Sequence, residues 1–170
     1  EIADAIAREA GPLGYEVLVV SGDFDPAKQD KQVKDFIVKR VDAIVLSPCD
    51  SKAVGPVIQE ANAAGVPVFT VDIGCLAPEA KVVTHIATDN YSGGRQAGEA
   101  MVEALGPAGG KIAVLDHKPI ESCQLRVKGF KEVVASHARI EIVAELPGGG
   151  AKDQAFKAAE DLLQAHPDLV

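Results

Sequence analysis

Five side chains stand where an alternating α/β chain presents groups to a ligand. Asp72 closes the apolar run Val66-Pro-Val-Phe-Thr-Val71. Buried in mid-strand, such a carboxylate would cost roughly several kcal/mol. At a strand's carboxyl end it faces the edge where open parallel sheets take ligands, and it can accept from two adjacent hydroxyls. Arg126 falls in the first turns of a helix that follows the strand 111–115. Its planar fork can donate to two acceptor oxygens together. Ser47 and Thr88 end two other strands and offer hydroxyls. Lys118 follows the strand 111–115 beside His117, and a cation there suits an anionic group. Each has a plainer reading: a cap or loop ion pair for Asp72, an exposed helical arginine, strand-end caps for Ser47 and Thr88, and a solvated Lys118.

Those placements depend on the elements around them. The chain reads as a helix over Glu1–Ala10, stopped by Gly11-Pro-Leu-Gly14, then a strand over Glu16–Ser21. Asp25-Pro26 opens a helix to about Arg40, since Asp caps and Pro suits the first turn. A strand over Ala43–Ser47 leads to a helix from Asp50/Ser51 to Ala64, and then to strands over Val66–Val71 and Val83–Ala87. A helix over Tyr91–Leu105 carries Gly93, Gly94 and Gly98, which imply close approach of a neighbour. There follow a strand over Lys111–Leu115, a helix over Ser122–Ser136, a strand over Ile140–Leu146, a helix over Ala151–Ala165 and a strand beginning at Asp168. Such alternation implies βαβ units, a mostly parallel sheet and helices on both faces.

The order helix, strand, loop, helix, Asp, strand occurs twice, over Glu1–Leu46 and over Ser122–Val170. The spacing agrees from Pro26-Ala27 to Asp42-Ala43 and from Ala151-Lys152 to Asp168-Leu169. Two similar lobes are expected. The second copy has a strand before it and the first has none, so the reading is of a fragment without its first strand and most of its second lobe. Dimerisation or swapping to repair the open edges is the alternative.

Composition narrows the function. With 170 residues and 47% hydrophobic content the chain can build a core. A net charge of −8, with Lys and Arg scattered among acids, argues against a nucleic-acid partner. No apolar run approaches the roughly 18 residues of a membrane span. Cys49, Cys75 and Cys123 lack metal-ligand spacing, so neither a metal nor a cofactor is expected. Gly148-Gly-Gly150 lacks the Gly-Lys-Ser/Thr of a phosphate loop. No nucleophile paired with a base is visible, and the chain is not read as an enzyme.

Three stretches, 41–55, 61–72 and 85–98 (Val41-Asp-Ala-Ile-Val-Leu-Ser-Pro-Cys-Asp-Ser51 in the first, Val66-Pro-Val-Phe-Thr-Val-Asp72 in the second, His85-Ile-Ala-Thr-Asp-Asn90 in the third), together with Arg126-Val-Lys-Gly-Phe130, resemble the periplasmic ribose-binding-protein family. These are sugar receptors of ABC transporters. The resemblance implies two doubly wound parallel-sheet lobes, both incomplete here, with a hinge between them. Residues 1–88 would be the N-terminal lobe without its first strand, and 89–170 the start of the C-terminal lobe. It also implies a sugar or polyol gripped between lobes, a membrane permease as partner, and a periplasmic or extracellular location with a lipid anchor as an option. Asp72 matches the family's sugar-binding acid and Arg126 its arginine. Ser47 lies where ribose receptors often carry Asn, and Thr88 where they carry a small hydroxyl. Ile73 departs from the Arg usual after the acid, and residues 148–150 lack the usual aromatic, which moves the expectation beyond ribose to other pentoses, hexoses or polyols. The effector domain of a LacI-type repressor is the alternative.

Overall fold

The computed structural model describes residues 2–170. Glu1, the first residue of the expected leading helix, lies outside them. Helix α1 spans Ile2–Ala10 and ends in a 3₁₀ turn over Gly11–Leu13, with Gly14 left-handed at φ +85°. Helix α2 (Pro26–Lys39) starts as the sequence indicates: the Asp25 carboxylate accepts from the N–H groups of Ala27 and Lys28 at 2.8 and 3.2 Å. Strand β1 (Ile44–Leu46), helix α3 (Gly55–Ala63), strand β2 (Val68–Val71) and strand β3 (His85–Ile86) follow. β1, β2 and β3 form one parallel sheet, with Ile44 opposite Val68 and Thr70 opposite His85.

The second half repeats the pattern. It runs through α4 (Asn90–Leu105), β4 (Gly110–Asp116), α5 (Glu121–Val134), β5 (Ile140–Pro147) and α6 (Lys152–Ala165). β4 and β5 pair in parallel from Gly110–Ile140 to Asp116–Pro147, with a shift in register between Ile112 and Ala113. Leu169 bridges Lys111 on the other edge of β4, so the strand expected at Asp168–Val170 does begin there. The two crossovers run in opposite directions from β4, and the right-handed rule for parallel crossovers assigns α5 and α6 to opposite faces.

Three expectations need correction. Residues 16–21 form no strand. A strand exists through its ladder, and among the described residues this apolar stretch pairs with no strand; Val19 and Val20 are 58% and 51% exposed. Helix α3 begins at Gly55, not Asp50/Ser51, because Asp50 Oδ1 takes the N–H groups of Lys52 and Ala53 into a local turn. The strand expected over Val83–Ala87 is only His85–Ile86.

One apolar core joins α2, β1, α3 and β2 through Val33, Ile44, Leu46, Val57, Ile58 and Val68. Ile58 and Val68 are fully buried, each a contribution of about 1.5–3 kcal/mol. In the second half α4 and α5 meet backbone to backbone. A Cβ on Gly94 would stand 2.8 Å from Arg126 Cα, and one on Gly129 would stand 2.9 Å from the Arg95 nitrogen. Only glycine allows that approach.

Candidate functional site

The carboxyl ends of the strands hold the groups singled out in the sequence. Asp72 follows β2 in the left-handed region at φ +65°. Its N–H donates to Ile86 O at 2.9 Å, and the N–H of Ile73 reaches back to Val71 O at 2.7 Å. This three-residue turn at positive φ is a strained one, costing an L residue about 1–2 kcal/mol. The pairing to β3 holds it in place. The Asp72 side chain is exposed and takes no hydrogen bond from the described residues.

Arg126 projects from the second turn of α5. Its Nε donates to Asn90 Oδ1 at 2.8 Å, and Asn90 Nδ2 donates to Thr88 O at 3.0 Å. Asn90 is only 3% exposed, so a buried amide fixes the guanidinium while its remaining N–H groups stay free to donate. Asn90 follows the capping residue and is itself the first residue of α4. Asp89 is the residue that caps α4, accepting from Ser92 N–H at 2.9 Å. An asparagine directly after a capping aspartate was the available signal that the second polar group serves another partner.

Ser47 is half-buried at the end of β1. Its carbonyl accepts from Gln29 Nε2 at 2.8 Å, and Gln29 Oε1 accepts from Cys49 N–H at 2.8 Å, so α2 clamps the loop. Thr88 is exposed just before α4. Lys118 turns to Glu145, with Nζ 3.4 Å from Oε1.

Arg126 lines a hollow of about 450 Å³ with Asp116, His117, Gly148, Gly150 and Lys152. This hollow opens beyond the carboxyl ends of β4 and β5, between the start of α5 and the start of α6. Lys118 lines a second, larger hollow of about 750 Å³ together with Lys52, Lys128, Lys131 and Glu145. Asp116 lines both. Its Oδ1 is, among the described residues, the one buried side-chain oxygen without a hydrogen-bond partner. Burial, and then a proton held against Glu145, push the Asp116 carboxyl above its ordinary value, while the hydrogen bond from Lys131 holds Glu145 below its own. Asp72, Ser47 and Thr88 line neither hollow. Arg126 is thus brought together with Asn90 and His117, and not into one hollow with Asp72.

The two halves touch through Ser51, which is fully buried. Its N–H donates to Pro119 O at 3.0 Å, and its Oγ accepts from the N–H of Glu121, the first residue of α5, at 2.9 Å. The residue before α5, Ile120, makes no side-chain cap. A serine from the first half therefore caps a helix of the second.

With this geometry in view, comparisons with known proteins are direct. The model of the periplasmic binding protein domain matches residues 1–170. The ribose import binding protein of Escherichia coli is 32% identical over 168 residues, which is 99% of this chain and 56% of that protein. A crystal structure of an ABC transporter solute binding protein from Mycobacterium smegmatis with bound glycerol is 35% identical, with a TM-score of 0.89 over 98% of this chain and 57% of that one. The Caulobacter myo-inositol binding protein, bound to myo-inositol, is 27% identical with a TM-score of 0.88 over 97% of this chain and 56% of that one. The chain spans about half the length of the relatives it matches.

Proposed function

The chain belongs to the periplasmic binding protein domain family, and on that premise we propose that it is part of a receptor that grips a sugar or polyol and delivers it to an ABC transporter permease. The observation that carries this reading is Arg126: a guanidinium held by the buried amide of Asn90 at the mouth of a hollow beyond the ends of β4 and β5. Open α/β sheets bind ligands at that edge. Glycerol and myo-inositol in the related structures are polyhydroxylated, the class that a fork of N–H donors and a free carboxylate recognise.

In this reading residues 1–88 form one lobe and 89–170 the start of the other. Asp72 supplies the carboxylate from the first lobe and Arg126 the donors from the second, and the ligand bridges them as a hinge closes. The strain at Asp72 supports its role, since strained backbone persists mainly where surroundings enforce it for a purpose. Ser47 and Thr88 are lesser contacts from the same strand-end edge. Lys118, turned to Glu145, joins only for a ligand with a negative group. The protein works by binding and carries no chemistry of its own. Its place is the periplasm or the cell exterior, held there with or without a lipid anchor; among the described residues no helix is long and apolar enough to cross a membrane.

Titration calorimetry with pentoses, hexoses and polyols tests this. Saturable binding is expected, weaker than that of a complete two-lobed clamp. Arg126→Ala and Asp72→Ala should each weaken it at least tenfold, about 1.4 kcal/mol. Absence of saturable heat for every ligand, or unchanged affinity in both variants, overturns the reading.

A further inference from the structure

The hollow around Arg126 contains a second polar group, the imidazole ring of His117, with no hydrogen bond to the described residues. His117 leaves the end of β4, and its carbonyl accepts the N–H of Ile120 at 3.1 Å, which fixes its backbone at the start of α5. Its imidazole is half-buried and lines the same hollow as Arg126. Neither ring nitrogen has a hydrogen-bond partner among the described residues.

The ring rests on the loop after β5. A Cβ built on Gly150 would lie 3.2 Å from Nε2, 3.3 Å from Cε1 and 3.5 Å from Cδ2. Gly150 has φ +74°, a conformation that disfavours any side chain. The glycine therefore leaves open the space that the imidazole uses. The loop 148–150 supplies no aromatic, and the β4–α5 loop places the His117 ring against it.

We propose that His117 is a ligand-contacting, specificity-determining residue of this site, recognising a polyhydroxylated solute beside Arg126. Arg126 only donates hydrogen bonds. A neutral imidazole adds one donor, one acceptor and a flat apolar face. Such a face suits the C–H surface of a sugar ring, and the acceptor lets the second half of the molecule read a hydroxyl proton. The inference rests on the reading of this hollow as half of a solute site.

Two NMR reporters separate the claims. In the 170-residue chain the Arg126 Nε–Hε and His117 Cε1–Hε1 cross-peaks are followed during titration with arabinose, glucose, myo-inositol and glycerol. Both should shift for the same ligand with the same dissociation constant. His117→Ala should raise the constant read at Arg126 at least fivefold, and His117→Phe, which restores only the flat face, should change the order of preference among the ligands. If Arg126 shifts while His117 stays still, or if His117→Ala binds within twofold of the parent with an unchanged preference order, His117 is not a contact and the solute-site reading survives. If no ligand moves either peak, that reading falls and this inference falls with it.

Discussion

The two halves of the molecule follow one plan and are secured by opposite means. Around β1–β3, aliphatic side chains from α2, α3 and two strands fill one core. Around β4–β5, the close contact is between α4 and α5, where Gly94, Gly98 and Gly129 bring backbones together. The second helix of each repeat differs too. α2 and α6 are both 14 residues long, and Asp25 closes the start of α2 while Ala151 leaves α6 without a side-chain cap. The uncapped start borders the hollow containing Arg126 and His117. The lesson is that the proposed half-site lies beside a helix start without a side-chain cap. Asp25 completes its helix; the start of α6, without such a cap, lines the hollow through Ala151 and Lys152.

Four substitutions press on that contrast. The largest effect belongs to Gly129→Val. With α4 backbone already closer to a Gly129 Cβ than real contacts allow, a branched side chain should separate α4 from α5. Cooperative urea unfolding of the second half should disappear while the first half retains its transition. A single unaltered transition would refute the glycine-contact account. Ile58→Ala comes next. Removing a fully buried side chain from the aliphatic core should cost about 2–5 kcal/mol, read as a lower urea midpoint at constant slope. A loss below half a kcal/mol, well under that range, would mean the core relaxes freely.

Ser51→Ala tests the link between halves. The Glu121 N–H loses its acceptor, so its amide should exchange with solvent faster and stability should fall by about 0.5–2 kcal/mol. Unchanged exchange at Glu121 would show that the cross-boundary cap is not maintained in solution. The smallest effect is Asp116→Asn. Burial raises the folded-state pKa of Asp116, so the folded protein loses stability as pH rises from the unfolded-state value through the raised one. The amide cannot ionise, and the variant should gain on the parent over that window and match it below. Glu145, held down first by the hydrogen bond from Lys131 and in part by Asp116 itself, contributes in the other direction and loses only the Asp116 part in the variant. Parallel pH curves would contradict the assignment.

Much of the architecture was legible because its signals are local. Asp25-Pro26 announced α2, Asp89 caps α4 as its position indicates, and the strand expected from Asp168 begins with the bridge of Leu169 to Lys111. The stretch 16–21 misled because strand propensity says nothing about whether a partner strand is present. The candidate site was legible in residue types and only partly in geometry. Asp72 and Arg126 were visible as strand-end acid and helix-start base. The hold of Asn90 on Arg126 depends on the packing of α4 against α5, and the turn of Lys118 toward Glu145 depends on the β4–β5 register; neither is written in local sequence. The seat of His117 on Gly150 likewise joins two loops more than thirty residues apart.

The account centres on a solute held between an acid of one half and a guanidinium of the other. A crystal structure of the protein with the tightest-binding polyol or sugar of the calorimetric panel addresses it directly. The account requires ligand oxygens within hydrogen-bonding distance of both the Asp72 carboxylate and the Arg126 guanidinium. A ligand seated elsewhere, with both side chains facing solvent, would contradict it.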